Sequence, residues 1–243
     1  MPAVTVSAIV LRSVNYRDND RMLTLLTPNQ GRMEVLSRGC RRPKSPLMSA
    51  SEVFCTGEYV LFAQHERNIL TTCTLHDSFY PLRLDYGLLS CAAYLLNLCE
   101  AAAQPNEESG PLFWLLLKSL HRLAYGQEDR RGLVSGFLLH YASVLGYKPR
   151  LKHCVHCERR LEEEEPVFFD CEAGGLACMK CPRTANGLPL SQRQAVWLNK
   201  VLQEGPEAAA QYAGGDAPFE SLQCYVESRM ERPIKGGPVW ENT

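Results

Sequence analysis

The chain has neither an excess of charge of one sign nor the long apolar runs of a membrane protein. Its 243 residues include 26 Lys+Arg and 27 Asp+Glu, a formal net charge of −1, which excludes an overall positive field of the histone type. With 45% hydrophobic and 22% charged residues, the composition excludes global disorder. The length allows one large domain or two to three small ones.

No segment has the roughly 18 consecutive apolar residues of a membrane-spanning helix. The nearest approach, 87–99, contains Ser90 and Asn97 and is followed by Glu100. The first residues lack a basic segment followed by an apolar one, so a secretory signal is not expected. We therefore expect a cytoplasmic protein without a membrane partner, whose thiols stay reduced.

The familiar catalytic motifs are also missing. The sequence contains no P-loop, no G-x-G-x-x-G, no H-E-x-x-H and no G-x-S-x-G. It has six histidines, of which His153 and His156 lie in a cysteine-rich segment. No nucleophile with an adjacent base is indicated, which favours a binding protein over an enzyme. An enzyme with an unrecognised site, such as a nuclease, is the alternative.

Hydrophobic periodicity changes at about residue 80. Five short β patterns come first, and helical spacing follows. Five strands in this length fit a barrel of the OB-fold type. The predicted class is α+β, with an OB-fold barrel at 1–80, a helical domain at 81–243 and an embedded zinc module at about 150–185. The predicted strands are 4–11, 22–27, 32–37, 52–63 (bulged at Gly57) and 69–75, and the predicted helices 86–103, 111–124, 133–144, 191–203 and 219–230.

Cysteine is abundant, with eleven residues. Four form two C-x2-C pairs, Cys154/Cys157 and Cys178/Cys181, separated by 20 residues. Two such turns bring four thiolates around one ion, the closed shell of a structural zinc site. We predict one structural Zn²⁺. A redox dithiol, an iron–sulfur cluster and a metal-free site are the alternatives, with Cys171, His153 or His156 as substitute ligands. The remaining cysteines are expected to be small buried hydrophobes: Cys40, Cys55, Cys73, Cys91, Cys99 and Cys224.

Basic residues are concentrated near the N-terminus. Residues 1–50 contain eight basic and three acidic side chains, a local balance of +5. Seven of the eight are arginines, which suit bidentate contacts with phosphate, and Tyr16 is a candidate for stacking on a base. For Arg21, a structural ion pair with Asp18 or Asp20 is the alternative. The predicted nucleic-acid contacts are Arg17, Arg21, Arg32, Arg38, Arg41, Arg42 and Lys44.

Four segments stand in a distinctive order. They are Tyr-Arg-Asp-Asn-Asp-Arg-Met-Leu-Thr-Leu-Leu-Thr at 16–27 with Gly-Arg at 31–32, Arg-Gly-Cys-Arg-Arg-Pro-Lys-Ser at 38–45, Gly-Tyr-Lys-Pro-Arg-Leu at 146–151 before the first cysteine pair, and Gly-Gly-Leu-Ala-Cys at 174–178. In this order they resemble the RecO family of bacterial DNA repair and recombination mediators, over about residues 3–225. The chain departs from the family pattern at Asn19 and Cys40, where members often have Ser and Ala.

The resemblance implies an OB-fold, a helical domain and a zinc module in a nucleoid-associated, non-enzymatic protein. It implies binding of single- and double-stranded DNA, annealing of complementary strands, and loading of RecA onto DNA coated by single-strand-binding protein. RecR is the implied partner. The tail of single-strand-binding protein is the implied ligand of the helical domain, where Phe113, Trp114 and Leu117 near Arg130 or Arg131 are candidates, with a core role as the alternative. A zinc-ribbon OB protein that binds RNA in transcription or translation is the competing hypothesis.

Overall fold

The computed structural model describes residues 3–64, 67–162, 165–212, 214–230, 234 and 236–240. They belong to two compact units, Met1–Tyr125 with Gly237–Val239, and Gly126–Gly236 with Trp240–Thr243. Within the described ranges, every helix is too short or too polar to cross a bilayer.

A closed barrel of five strands forms the first part of the first unit. Its order is β1-β2-β3-β5-β4, and β3 and β5 are its parallel neighbours. A five-stranded closed barrel with this order is an OB-fold, so the predicted fold class is confirmed. The strands are β1 (Val4–Tyr16), β2 (Asp20–Thr27), β3 (Gly31–Ser37), β4 (Thr56–Gln64) and β5 (Arg67–Asp77).

Strand β1 closes the barrel because it pairs with two partners. Residues 4–9 pair with β4 and residues 9–16 pair with β2, and the register shifts between Val10 and Arg12. Such an irregularity bends a strand and increases its twist, which lets a small sheet curl onto itself. Alternate side chains point inward and form the buried interior: Val10, Leu23, Leu25, Val35, Tyr59, Leu61 and Leu70.

The beginning of β4 corrects one prediction. The pattern predicted a strand from Glu52, but the strand starts at Thr56 after a short 3₁₀ turn at Ser49–Ser51. Phe54 has a φ of 71°, which interrupts an extended chain, while its backbone N–H donates to Val10 O at 2.9 Å. The predicted bulge is confirmed, because the β4–β5 register shifts between Thr56 and Gly57.

Two helices complete the first unit. Helix α1 (Tyr86–Ala102) begins after Asp85, whose carboxylate accepts the Leu88 N–H at 2.8 Å, a standard N-cap. Helix α2 (Gly110–Tyr125) carries Pro111 in its first turn, as predicted. Along α2, Phe113 is buried and Trp114 is 55% exposed. The core alternative therefore holds for Phe113 and fails for Trp114.

The second unit contains three helices and a small sheet. Helices α3 (Arg130–Val144), α4 (Gln192–Glu204) and α5 (Phe219–Ser228) match the predictions to within three residues at each end. Ser191 and Gln194 form a capping box at the start of α4. Strands β6 (Val167–Asp170), β7 (Gly175–Cys178) and β8 (Gly187–Leu190) were not predicted, and β6 lies between the other two.

Candidate metal centre and nucleic-acid interface

The four paired cysteines meet at one point in the second unit. Their sulfur atoms all lie within 4.8 Å of one another. The Sγ–Sγ distances are 3.8 Å for Cys154–Cys181, 3.8 Å for Cys157–Cys178 and 3.7 Å for Cys178–Cys181. Four sulfurs bound tetrahedrally at about 2.3 Å stand about 3.8 Å apart, so the cluster matches the shell of one tetrahedral ion.

Backbone contacts hold the two cysteine turns together. Val155 N–H donates to Leu176 O at 2.9 Å, which ties the first turn to β7. Gly175 is required at the start of β7, because a Cβ there would lie 2.1 Å from Arg150 O. Gly174 before it has a φ of 76°, a conformation that glycine adopts freely. The two glycines therefore let the chain pass close to the first turn.

The surroundings of the sulfurs shift the pKa values of Cys178 and Cys181 in opposite directions. Burial opposes ionisation of Cys178, but Arg159 and the backbone N–H groups of Lys180 and Cys181 outweigh it and lower the pKa of this thiol to about 6. Burial and the neighbouring sulfurs raise the pKa of Cys181 to about 12. A cation placed among the sulfurs would favour all four thiolates together, since the thiolate is the metal-binding form.

A buried carboxylate contacts the first cysteine turn through His156. Asp170, at the end of β6, is fully buried and accepts the N–H groups of Glu172 and Ala173 and the Thr184 hydroxyl at 2.9–3.0 Å. Its other contact is His156 Nε2 at 3.0 Å. His156 therefore serves to orient the turn and lies outside the cluster of sulfur atoms.

The remaining cysteines are separate from this centre. Cys171 Sγ lies against Ser221 O at 3.8 Å and is no member of the cluster. An iron–sulfur cluster distributes its cysteines over several irons, which requires sulfurs farther apart than these. Of the six cysteines expected to be buried hydrophobes, Cys40, Cys55, Cys91 and Cys99 are buried, whereas Cys73 and Cys224 are half-buried.

On the barrel, hydrogen bonds connect the β1–β2 turn to the loop 38–45. Gly39 N–H donates to Asp20 Oδ1 at 2.8 Å, and Arg41 N–H donates to Asn19 O at 3.0 Å. The Arg41 side chain reaches Asp18 O at 3.1 Å. The structure thus brings two basic segments of the sequence to one end of the barrel. Five of the seven predicted contact residues are exposed there: Arg17, Arg38, Arg41, Arg42 and Lys44.

Two of the predicted arginines have structural partners. Arg21 is 22% exposed at its side chain and pairs with Glu52 Oε1 at 2.6 Å. The predicted ion pair of Arg21 with Asp18 or Asp20 is therefore wrong, because Glu52 is its partner. Arg32 is half-buried and donates to Glu100 O near the end of α1 at 3.1 Å. Both guanidinium groups thus serve contacts within the first unit.

Tyr16 lies between two cations, one of which the sequence did not reveal. The Arg67 guanidinium donates to the Tyr16 hydroxyl at 3.4 Å, and the Arg17 guanidinium is 5.2 Å from the ring centroid. The hydrogen bond from Arg67, followed by the charge of Arg17, lowers the pKa of Tyr16. Arg67 begins β5, and residues 65 and 66, which were predicted to belong to a turn, lie outside the described residues.

These cations occupy the part of an OB-fold that commonly holds oligonucleotides. Arg17 lies in the β1–β2 connection and Arg67 at the end of the β4–β5 connection, the two loops that border the usual binding face. The described residues include no carboxylate in an ion pair with Arg17, Arg38, Arg41, Arg42, Lys44 or Arg67. We call these six residues the basic end of the barrel.

The fold and the two sites define an OB-fold protein with a cluster of four cysteines that could hold a metal ion. Comparison with known proteins then identifies the family. The family model described as Recombination protein O N terminal matches residues 1–79, and the model described as Recombination protein O C terminal matches residues 83–237. The chain belongs to the RecO family of DNA repair proteins.

Curated relatives named DNA repair protein RecO match almost the whole chain. The protein of Acetivibrio thermocellus is 27% identical over 237 residues, which cover 96% of this chain and 94% of the relative. That of Pelotomaculum thermopropionicum is 33% identical over 240 residues, covering 97% and 92%. That of Symbiobacterium thermophilum is 29% identical over 241 residues, covering 97% and 95%.

Proposed function

We propose that this RecO-family protein is a non-enzymatic DNA-binding mediator of recombinational repair. It binds single- and double-stranded DNA, anneals complementary strands, and with RecR loads RecA onto DNA coated by single-strand-binding protein. It acts in the cytoplasm, in association with the nucleoid. The observation that carries this proposal is the basic end of the barrel, where exposed cations border the loops at which OB-folds bind nucleic acid.

The charge distribution supports phosphate contact in particular. Hydrogen bonds hold together the two segments that carry these exposed cations. The backbone positions of the cations are therefore fixed relative to one another: Arg17, Arg38, Arg41, Arg42 and Lys44. The guanidinium of arginine makes paired hydrogen bonds to phosphate. Neutralising phosphates on two strands at once lowers the repulsion between them, which is the physical requirement for annealing. Arg21 and Arg32 have a structural role in this proposal.

We infer that the four-cysteine cluster holds one zinc ion. Zinc accepts four thiolates in a closed tetrahedral shell, and such a site leaves no position for a reacting water. The tetrahedral Sγ–Sγ distances support this assignment. Zinc would stabilise the two turns and the short strands β6 and β7, which have only four residues each.

RecR and the tail of single-strand-binding protein are the proposed protein partners. For the tail, the exposed Trp114 on α2 is the candidate that the structure leaves accessible, whereas Phe113 is part of the core. Replacing Trp114 by alanine should weaken binding of a labelled tail peptide and leave DNA binding unchanged.

A binding competition tests the function. The protein is titrated onto a fluorescent single-stranded DNA at low salt, and unlabelled DNA or RNA of the same sequence is then added with and without Mg²⁺. We expect tight binding, displacement by DNA at least as effective as by RNA, and intact DNA throughout. No binding at low salt would refute the proposal. A strong preference for RNA would favour the RNA-binding alternative, and cleavage with Mg²⁺ would favour a nuclease.

A further inference from the structure

Two cysteines outside the four-cysteine cluster lie on neighbouring segments of the second unit. Cys171 directly follows β6 and is fully buried, and Cys224 lies on α5 and is half-buried. Helix α5 packs on this part of the small sheet, where the rings of Phe169 and Tyr225 are 5.6 Å apart in an edge-to-face arrangement. The two cysteines thus come from segments far apart in sequence.

Hydrogen bonds to α5 fix the position of Cys171 along the helix. Its thiol donates to Ser221 O at 3.8 Å, and its carbonyl accepts the Ser228 hydroxyl at 3.2 Å. Positions 221, 224 and 228 lie on one face of a helix, because residues three and four apart are neighbours. Cys224 therefore lies on the face of the helix that makes these two contacts with Cys171. Burial, and then the neighbouring Cys224 thiol, raise the pKa of the Cys171 thiol.

The pair combines a reachable thiol with a protected one. Cys224 has access to solvent, whereas Cys171 meets α5 and is closed to reagents. A single buried cysteine needs no role beyond packing. Two neighbouring thiols, one of which reagents can reach, form the arrangement in which a mixed disulfide on the first is resolved by the second.

We propose that Cys171 and Cys224 form an oxidisable dithiol that closes to a disulfide and fastens α5 to the segment after β6. The oxidant is a low-molecular-weight disulfide. The Cys224 thiolate attacks one sulfur of the oxidant and releases the first small thiolate. The Cys171 thiol then gives up its proton and attacks the Cys224 sulfur, which releases the second. Two protein thiols are oxidised to one disulfide, the oxidant is reduced to two thiols, and the two protons end on them.

The test uses the metal-loaded full-length protein and oxidised glutathione. Free thiols are alkylated after the reaction, and disulfide-linked peptides are mapped by mass spectrometry while bound metal is measured. We expect a peptide that links Cys171 to Cys224, loss of two alkylated thiols, unchanged metal content and a higher midpoint of thermal unfolding that dithiothreitol reverses. Cys73→Ser, at a half-buried cysteine of β5, is the matched control and should give the same link.

The variant Cys224→Ser should abolish the link and the rise in the unfolding midpoint. In this variant Cys171 should react with the alkylating reagent only after the protein is denatured. Glutathione that remains on Cys224 without a link to Cys171 would overturn the proposal. Failure of both thiols to react would overturn it as well, as would disulfides confined to the metal-binding cysteines with loss of the ion. Because the readout is a linked peptide, the result does not depend on DNA binding.

Discussion

Replacing Arg41 and Arg42 by alanine should reduce both DNA affinity and the salt dependence of binding. The two side chains are exposed on the loop 38–45, and the only hydrogen bond of the Arg41 guanidinium that the described residues show goes to the carbonyl of Asp18. Each phosphate that a cation neutralises releases condensed counterions, which is why log K falls linearly with log [salt].

The size of the effect follows from the number of cations at the basic end of the barrel. A single strand gives a slope of about −0.7 for each neutralised phosphate, so six contacts give about −4 and the double variant about −3. At 0.1 M salt, the same relation assigns about 1 kcal/mol to each contact relative to 1 M salt. The double variant should therefore bind about 25-fold more weakly at 0.1 M salt.

Fluorescence anisotropy at several salt concentrations measures both quantities. The matched control is Arg12→Ala, which removes another exposed guanidinium of the barrel. Arg12 Nε pairs with Glu100 at 3.1 Å, so we expect the salt slope of this variant to equal that of the parent. Equal slopes for the parent and the Arg41/Arg42 double variant would refute the assignment of this loop to phosphate contact. So would a reduced slope for Arg12→Ala alone.

Three further predictions concern stability and the metal. Arg21→Ala should lower the free energy of unfolding, measured with urea, by about 1 kcal/mol, because the ion pair of Arg21 with Glu52 is partly exposed. The same variant should leave the salt slope of DNA binding, measured by anisotropy, unchanged. Gly31→Ala should cost more than about 2 kcal/mol in urea unfolding, since its Cβ would lie 2.0 Å from Gln104 O at a φ of 61°. Gly146→Ala, at a φ of 86° with open space around it, should cost about 1–2 kcal/mol, and equal costs would contradict this account of Gly31. Purified protein should contain about one equivalent of zinc. A chelator, or the Cys178→Ser/Cys181→Ser double variant, should remove the zinc and reduce the ordered secondary structure seen by circular dichroism. Retention of both metal and fold in that variant would contradict the structural role.

Features encoded by short stretches of sequence were the predictable ones. The cluster of four cysteines followed from the C-x2-C spacing, because each four-residue turn brings its own two thiols together. Strands β2 and β3 and all five helices followed from hydrophobic periodicity, whereas β1 continues to Tyr16, past its predicted end at residue 11. Strands β6, β7 and β8 have four residues each, which is too short for a period of two to be distinguished from chance.

Features that depend on distant partners were not predictable. Arg21 and Arg32 were not recognised as structural, because their partners, Glu52 and the carbonyl of Glu100, lie 31 and 68 residues further along the chain. Arg67 contacts Tyr16 because closure of the barrel brings the start of β5 next to the end of β1. No local sequence pattern predicts this contact. Burial and pairing, which tertiary structure decides, thus separate structural arginines from those free to meet a ligand.

Annealing of complementary strands coated by single-strand-binding protein is the reaction closest to the proposed function of this protein. A fluorescently labelled oligonucleotide and its quencher-labelled complement are each saturated with single-strand-binding protein, and duplex formation is followed after this protein is added. We expect faster duplex formation than without the protein, a smaller acceleration by the Arg41→Ala/Arg42→Ala variant, and the same acceleration by Arg12→Ala as by the parent protein. An annealing rate unchanged by the parent protein, or equal acceleration by the parent and the double variant, would contradict it.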